Sequence, residues 1–344
     1  MKTAILTFQD AENYGAALQA YALKKTCAEY SDTQVINYYN PFFHKKASGS
    51  IKSVILNCLH GSQFKRKSYR FREFQKEYIV SNAPEIRREN LEMLNGKYDV
   101  FITGSDQVWN LECSGNDNTY FLDFVKSGTK NSYAASLGMP SADDKKIKDL
   151  LMDFDKISVR EASGAQYLQK VTGKAYPVVL DPTFLIDCKT WGKLFDLTFG
   201  EKYVLVYEVL NGNQLFEYAK RFAKSHNLKL VCITSSHKPR SGAQVIRDAG
   251  PIEWLKLFAG AAYIFTNSFH GLAFSLNFQK QFFVEMLPPP AKTNTRIIEM
   301  LETTGLSERS AANAEKLNDI DYNVVSLKIN EDRMNSLKFL KGVF

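Results

Sequence analysis

KYVLVYEVLNGNQLFEYAKRFAKSHNLKLVCITSS, residues 202–236, divides into an apolar run (202–210), an amphipathic segment of helix length (215–226) and a second apolar run (229–236). That order is a βαβ unit: strands buried on both faces of a parallel sheet are apolar almost throughout, whereas the crossover helix needs one apolar face. The rhythm continues downstream, with helices at 251–261 and 272–278 and strands at 262–268 and 281–286. Upstream it recurs as AILTF (4–8), a helix over 17–30, QVINYY (34–39) and YDVFITGS (98–105). KISVRE (156–161) and AYPVVLDPT (175–183) read as further strand ends. The expectation is an α/β protein with mostly parallel sheets covered by helices.

A chain of 344 residues exceeds what one core usually serves, so two domains are expected. Around 184–200 the alternation stops, which places a Rossmann-like N-terminal domain at 1–188 and a second at 189–320. The last segment, 321–344, is expected to be a helix packing back on the first domain. Two such halves with a cleft between them make a GT-B-like architecture, with ligands beyond the C-terminal strand ends. Residues 42–77 mix basic and apolar residues in a helical pattern. They read either as a solvated helical insertion on the first sheet or as a basic amphipathic surface for anionic lipid.

Composition narrows the class. A hydrophobic fraction of 44% and a charged fraction of 24% are those of a soluble globular chain. The net charge of +7, from 44 Lys and Arg against 37 Asp and Glu, suits an anionic substrate or membrane surface, and no nucleic-acid-binding motif accompanies it. Cys27, Cys58, Cys113, Cys188 and Cys232 are scattered, without the spacing of a zinc site or a disulfide framework. MKTAILTFQD reads as a strand rather than a signal peptide, and no run of about 18 apolar residues occurs, so a cytoplasmic protein is expected.

Several strand ends carry chemistry. GSDQVWN (104–110) offers backbone N–H groups, the Asp106 carboxylate, amides at Gln107 and Asn110, and a stacking face at Trp109, a set suited to a sugar. Asp106 reads equally as a cap of the next helix. Arg160 in SVRE can fork onto a phosphate or pair with Glu161. LDPT (180–183) reads as a turn fixed by Asp181 and Thr183. His270 in TNSFHG (266–271) stands at a strand end before a helix over 272–278, where the helix dipole favours an anion, with Thr266, Asn267 and Ser268 beside it. A structural histidine is the competing reading. Arg296 opens a nearby helix. No phosphate-binding loop or dinucleotide fingerprint follows the first strand, which carries only Gly15 in its turn, and neither D-x-D pair (153/155, 319/321) lies at a plausible metal site. No G-x-S-x-G elbow supports a serine triad.

In order, NYGAALQAYAL (13–23), ITGSDQVWN (102–110), SYAASLG (132–138), SVRE (158–161), LDPTFL (180–185) and TNSFHG (266–271) resemble the polysaccharide pyruvyl transferase family over roughly residues 1–310. The resemblance implies transfer of a pyruvyl group from phosphoenolpyruvate to hydroxyls of a bacterial exopolysaccharide, capsule or cell-wall sugar, forming a ketal without a cofactor or metal. It implies that His270 is the general acid and that Arg160 clamps the donor, with Ser268 and Gly271 also on the donor side. Asp106 would be base or positioning group, Trp109 a sugar platform, and Ser105, Gln107 and Asn110 acceptor contacts. Many relatives carry an arginine two residues before the histidine, where this chain has Ser268. Arg296, then Lys292, is the expected replacement. A lipid-linked acceptor and contact with the inner face of the cell membrane follow as expectations. A nucleotide-sugar glycosyltransferase and a non-catalytic sugar-binding assembly protein are the alternatives.

Overall fold

The computed structural model describes residues 1–44, 51–138, 143–196, 202–209, 214–236, 238–288 and 294–344, with residues 51–60 by backbone alone. Its elements alternate as β1 (Lys2–Leu6), α1 (Tyr14–Cys27), β2 (Asp32–Val35), α2 (Ile51–Phe74), β3 (Val100–Thr103), α3 (Leu111–Ser114), β4 (Thr129–Ser132), α4 (Asp144–Leu151), α5 (Ala162–Thr172) and α6 (Cys188–Gly192). There follow β5 (Tyr203–Tyr207), α7 (Leu215–Ser225), β6 (Lys229–Ile233), β7 (Gln244–Ile246), α8 (Pro251–Gly260), β8 (Tyr263–Thr266), α9 (Phe269–Asn277), β9 (Gln281–Val284), α10 (Asn294–Thr304) and α11 (Tyr322–Lys341).

The chain forms two compact units: unit 1 is Met1–Lys46, Arg72–Ile186 and Asn330–Phe344, and unit 2 is Ala47–Phe71 and Asp187–Ile329. Unit 1 carries a 4-stranded sheet in the order β2-β1-β3-β4, unit 2 a 5-stranded sheet in the order β7-β6-β5-β8-β9, and all pairings are parallel. Chain order reverses direction at β1/β3 in unit 1 and at β5/β8 in unit 2. Beyond the C-terminal ends of the strands at such a reversal, the loops diverge and leave a crevice.

The cores explain why these segments adopt these forms. All four residues of β3 are buried, as a strand covered on both faces requires. In α7 the buried residues Leu215, Phe216, Ala219, Phe222 and Ala223 fall on one face at helical spacing. Caps then set the starts: Asn13 Oδ1 accepts from Ala16 N at α1, and Asn110 Oδ1 accepts from Glu112 N at α3.

Four features depart from the sequence expectation. KISVRE and AYPVVLDPT extend the unit 1 sheet only through isolated bridges, Asn131↔Lys156, Ala135↔Val159 and Val159↔Val178. Pro177 and Pro182 cannot donate to a ladder, so pairing there stays short. The polar β4 (TKNS) and the three-residue β7 (QVI) lack the apolar run that marks the other strands. Helix α9 starts at Phe269, not at residue 272, because Ser268 caps it. Finally, residues 47–71 of the basic segment belong to unit 2 rather than the first sheet. Arg66 and Arg70 pair with Asp248, Arg70 also pairs with Glu253, and Lys67 donates to Ser235. These cations hold α2 to unit 2 instead of lining a free basic strip.

Candidate active site

The strand ends of unit 1 bring four of the motifs side by side. Asp106 bridges to Ala135, Ala135 to Val159, and Val159 to Val178, so GSD, SYAAS, SVRE and VLDP lie in one lateral row. Hydroxyls tie the row together: Ser132 Oγ donates to the Ser158 carbonyl at 3.0 Å and Ser158 Oγ to the Ser132 carbonyl at 3.2 Å. Thr7 Oγ1 donates to the Ser105 carbonyl at 2.8 Å, anchoring the turn to the end of β1. Side chains this small allow the backbones to approach.

Arg160 is the hub. Its Nη1 donates to Asp181 Oδ2 at 2.9 Å, its Nη2 lies 3.8 Å from Asp106 Oδ1, and its Nε lies 3.6 Å from Glu161 Oε2. Burial opposes its charge, but Asp181, Asp106 and Glu161 together outweigh burial and hold its pKa above the ordinary value. With 2% of its side chain exposed and three carboxylates within 4 Å, Arg160 is a buried guanidinium rather than one presented at the surface. The donor-clamp expectation is corrected to that of a buried counter-ion joining three motifs.

Asp106 adopts φ +80°, in the left-handed region, where a non-glycine residue costs about 1–3 kcal/mol. Its carbonyl accepts from Val108 N and Ser136 N, and its Oδ1 accepts from Gln107 N at 2.8 Å. The turn is thus held from both sides, leaving the half-buried carboxylate at the strand end.

Its neighbours fare differently. Trp109 is 1% exposed, stacks on Phe121 at 5.5 Å and donates its indole N–H to the Tyr120 carbonyl, so it is a core residue and no sugar platform. Ser105 is fully buried and donates to Asp181 at 3.1 Å, which removes it from acceptor contact. Asn110 caps α3 and donates to Gln107 Oε1 at 3.3 Å, so both amides hold the loop.

Unit 2 presents a different set at the β5/β8 ends. Thr266 Oγ1 donates to the Tyr207 carbonyl and accepts from Ser268 N; Ser268 Oγ accepts from Gly271 N at 3.2 Å. This chain of short bonds sets the first turn of α9, which holds His270, 8% exposed. Gly271 is required there, because a Cβ would lie 2.2 Å from Thr266 Oγ1. Ser268 and Gly271, both expected at the donor, therefore build the turn that carries His270. Arg296 on α10 lies over the Phe269 ring at 5.6 Å, one residue from His270. Lys292 lies outside the described residues.

The sequence reading missed a polar row in unit 2. One step beyond the paired positions Tyr207↔Ile233, Tyr207↔Thr266 and Thr266↔Val284 come Thr234, Glu208, Asn267 and Glu285, and residues in register on parallel strands share a face. Arg240 forms an ion pair with Glu208 and lies over Phe216 at 4.7 Å. Burial raises the Glu208 pKa; Arg240 lowers it and Glu285 raises it further. The one signal in the sequence was a carboxylate interrupting the apolar run YVLVYEVL at its C-terminal end. A cavity of about 590 Å³, lined by residues including Lys202, His226, Tyr263 and Lys280, lies at the opposite edge of this sheet, where parallel strands begin and ligands are seldom held.

Two parallel-sheet units, each with polar groups at its topological reversal, define a GT-B-like α/β protein. The fold recurs in an alpha-glucosyltransferase in complex with UDP and DNA, at a TM-score of 0.51 and 10% identity over 99% of this chain and 95% of that one. Lower similarity is found to Arabidopsis thaliana UGT89C1 complexed with quercetin (TM-score 0.49, 10% identity, 99% and 98% of the two chains). The E. coli heptosyltransferase WaaC with ADP-2-deoxy-2-fluoro heptose follows (TM-score 0.42, 12% identity, 92% and 98%). At these identities the likeness is one of fold alone. No curated protein sequence matches the chain. The family model for polysaccharide pyruvyl transferase matches residues 13–284, and the chain belongs to that family. Among the described residues no helix is long and apolar enough to cross a membrane.

Proposed function

We propose that the protein transfers the pyruvyl group of phosphoenolpyruvate to two hydroxyls of a sugar in a bacterial polysaccharide or its precursor, forming a pyruvate ketal and releasing phosphate. The observation that carries this reading is His270 in the first turn of α9 at the β5/β8 reversal, with Arg296 one residue away at Phe269. Chemistry sets the demands. The enol methylene carbon must gain a proton, which leaves oxocarbenium character at the adjacent carbon; one sugar hydroxyl attacks there, phosphate departs, and a second hydroxyl closes the ring. One hydroxyl proton balances the proton placed on carbon, and the other leaves with the phosphate.

An imidazole suits the carbon protonation, since it exchanges protons near neutral pH. His270 is the general acid in this reading. The aligned N–H dipoles of α9 and the Arg296 guanidinium hold the phosphate and carboxylate of the donor, and their charge stabilises the departing phosphate. Asp106 orients the acceptor hydroxyls.

Thermal stabilisation tests the donor. Phosphoenolpyruvate should raise the midpoint of unfolding where nucleoside diphosphates do not, and Arg296→Ala should weaken its apparent affinity about tenfold. Stabilisation by a nucleotide sugar in place of phosphoenolpyruvate would favour a glycosyltransferase, whose fold this chain shares. Unchanged donor affinity in Arg296→Ala would remove that residue from the site.

A further inference from the structure

Unit 1 holds a second titratable pair beyond the C-terminal ends of β1 and β2. Asp10 lies in the loop after β1, and His44 lies beyond β2 in a turn closed by His44 N donating to the Pro41 carbonyl. His44 Nε2 and Asp10 Oδ2 share a short hydrogen bond. Asp10 Oδ1 accepts from Gln75 Nε2 at 3.5 Å. The imidazole stacks on Tyr39 with centroids 4.5 Å apart and planes within 7°, and Arg87 lies over the same tyrosine ring at 5.0 Å. Packing and a half-buried carboxylate thus fix the ring, yet 39% of the histidine side chain remains exposed.

From this geometry we infer that His44, oriented by Asp10, is the general base that takes the proton of the attacking sugar hydroxyl, an inference that rests on the ketal-forming reaction proposed above. A carboxylate at Nε2 selects the tautomer with its proton on Nε2, so the lone pair is on Nδ1, which has no hydrogen-bond partner among the described residues. As Nδ1 takes the hydroxyl proton and the C–O bond forms, Asp10 stabilises the imidazolium. That proton then leaves with the phosphate. Phe42, 40% exposed, supplies the aromatic surface for a sugar ring that Trp109 cannot. Gly115 lets Phe42 settle there, since a Cβ on it would lie 2.7 Å from that ring. Asp106 is thereby left to positioning.

The test measures phosphate release from phosphoenolpyruvate with methyl glycosides of galactose, mannose and glucosamine, in wild type, His44→Gln, His44→Asn and Asp10→Asn. The inference predicts a loss of about 10²-fold or more in kcat for both His44 variants, with donor KM and midpoint of unfolding little changed. Asp10→Asn should lower kcat by a smaller factor, about tenfold, again with donor KM unchanged, because the ring keeps its stacking on Tyr39 but loses its orienting carboxylate. An active wild type with His44 variants within about threefold in kcat overturns the inference while leaving the reaction standing. A wild type that releases no phosphate with any of these diols, yet turns over a nucleotide sugar, overturns the reaction and the inference with it.

Discussion

The two strand-end regions occupy equivalent places in their sheets and use charge in opposite ways. In unit 1 three carboxylates surround one buried arginine, and nearly every motif side chain is committed to a neighbour. In unit 2 the motif residues build a helix turn whose product is a positioned imidazole with Arg296 near it. Motifs of one family thus divide into those that hold the backbone and those that present a reactive group. Which is which depends on burial, a property of the assembled sheet.

Substitutions at the two hubs should separate these uses. His270→Gln should lower kcat by about 10²–10⁴-fold, with a much smaller effect on stability, as single-turnover kinetics beside a urea titration would show. Equal losses of rate and stability would make His270 a packing residue. Arg160→Leu should reverse the pattern: about 3–5 kcal/mol of stability lost, because three carboxylates stay buried without their counter-ion. A stable Arg160→Leu protein with weakened donor binding would restore the phosphate-clamp reading. Gly271→Ala should cost about 1–3 kcal/mol through its clash with Thr266 and also slow catalysis by displacing His270. Full activity in that variant would show that the turn tolerates movement.

Much of the fold was legible in the sequence, because buried parallel strands and their crossover helices have different apolar periods. The parallel strands at 203–207, 229–233 and 263–266 fall within the runs read as such. Bridges at Val159 and Val178 mark where Pro177 and Pro182 cut short the pairing that the apolar runs suggested. The site was legible only as residue types at strand ends. Trp109 and Arg160 both read as ligand contacts, since an aromatic ring and a guanidinium suit a sugar and a phosphate; packing on Phe121 and Phe154 buried the first, and the carboxylates of neighbouring motifs surround the second. Asp10 and His44 stand 34 residues apart, and no local pattern joins them before β1 and β2 pair. Glu208 was hidden in an apolar run, and its partner Arg240 lies on a loop without a motif.

The most direct test of the central claim is mass spectrometry of the sugar after incubation with phosphoenolpyruvate, alongside the phosphate released. The account predicts a pyruvate ketal on the acceptor in equal amount to the phosphate, and neither from His270→Gln. Ketal formation undiminished in that variant, or an unmodified sugar beside turnover of a nucleotide sugar, would contradict it.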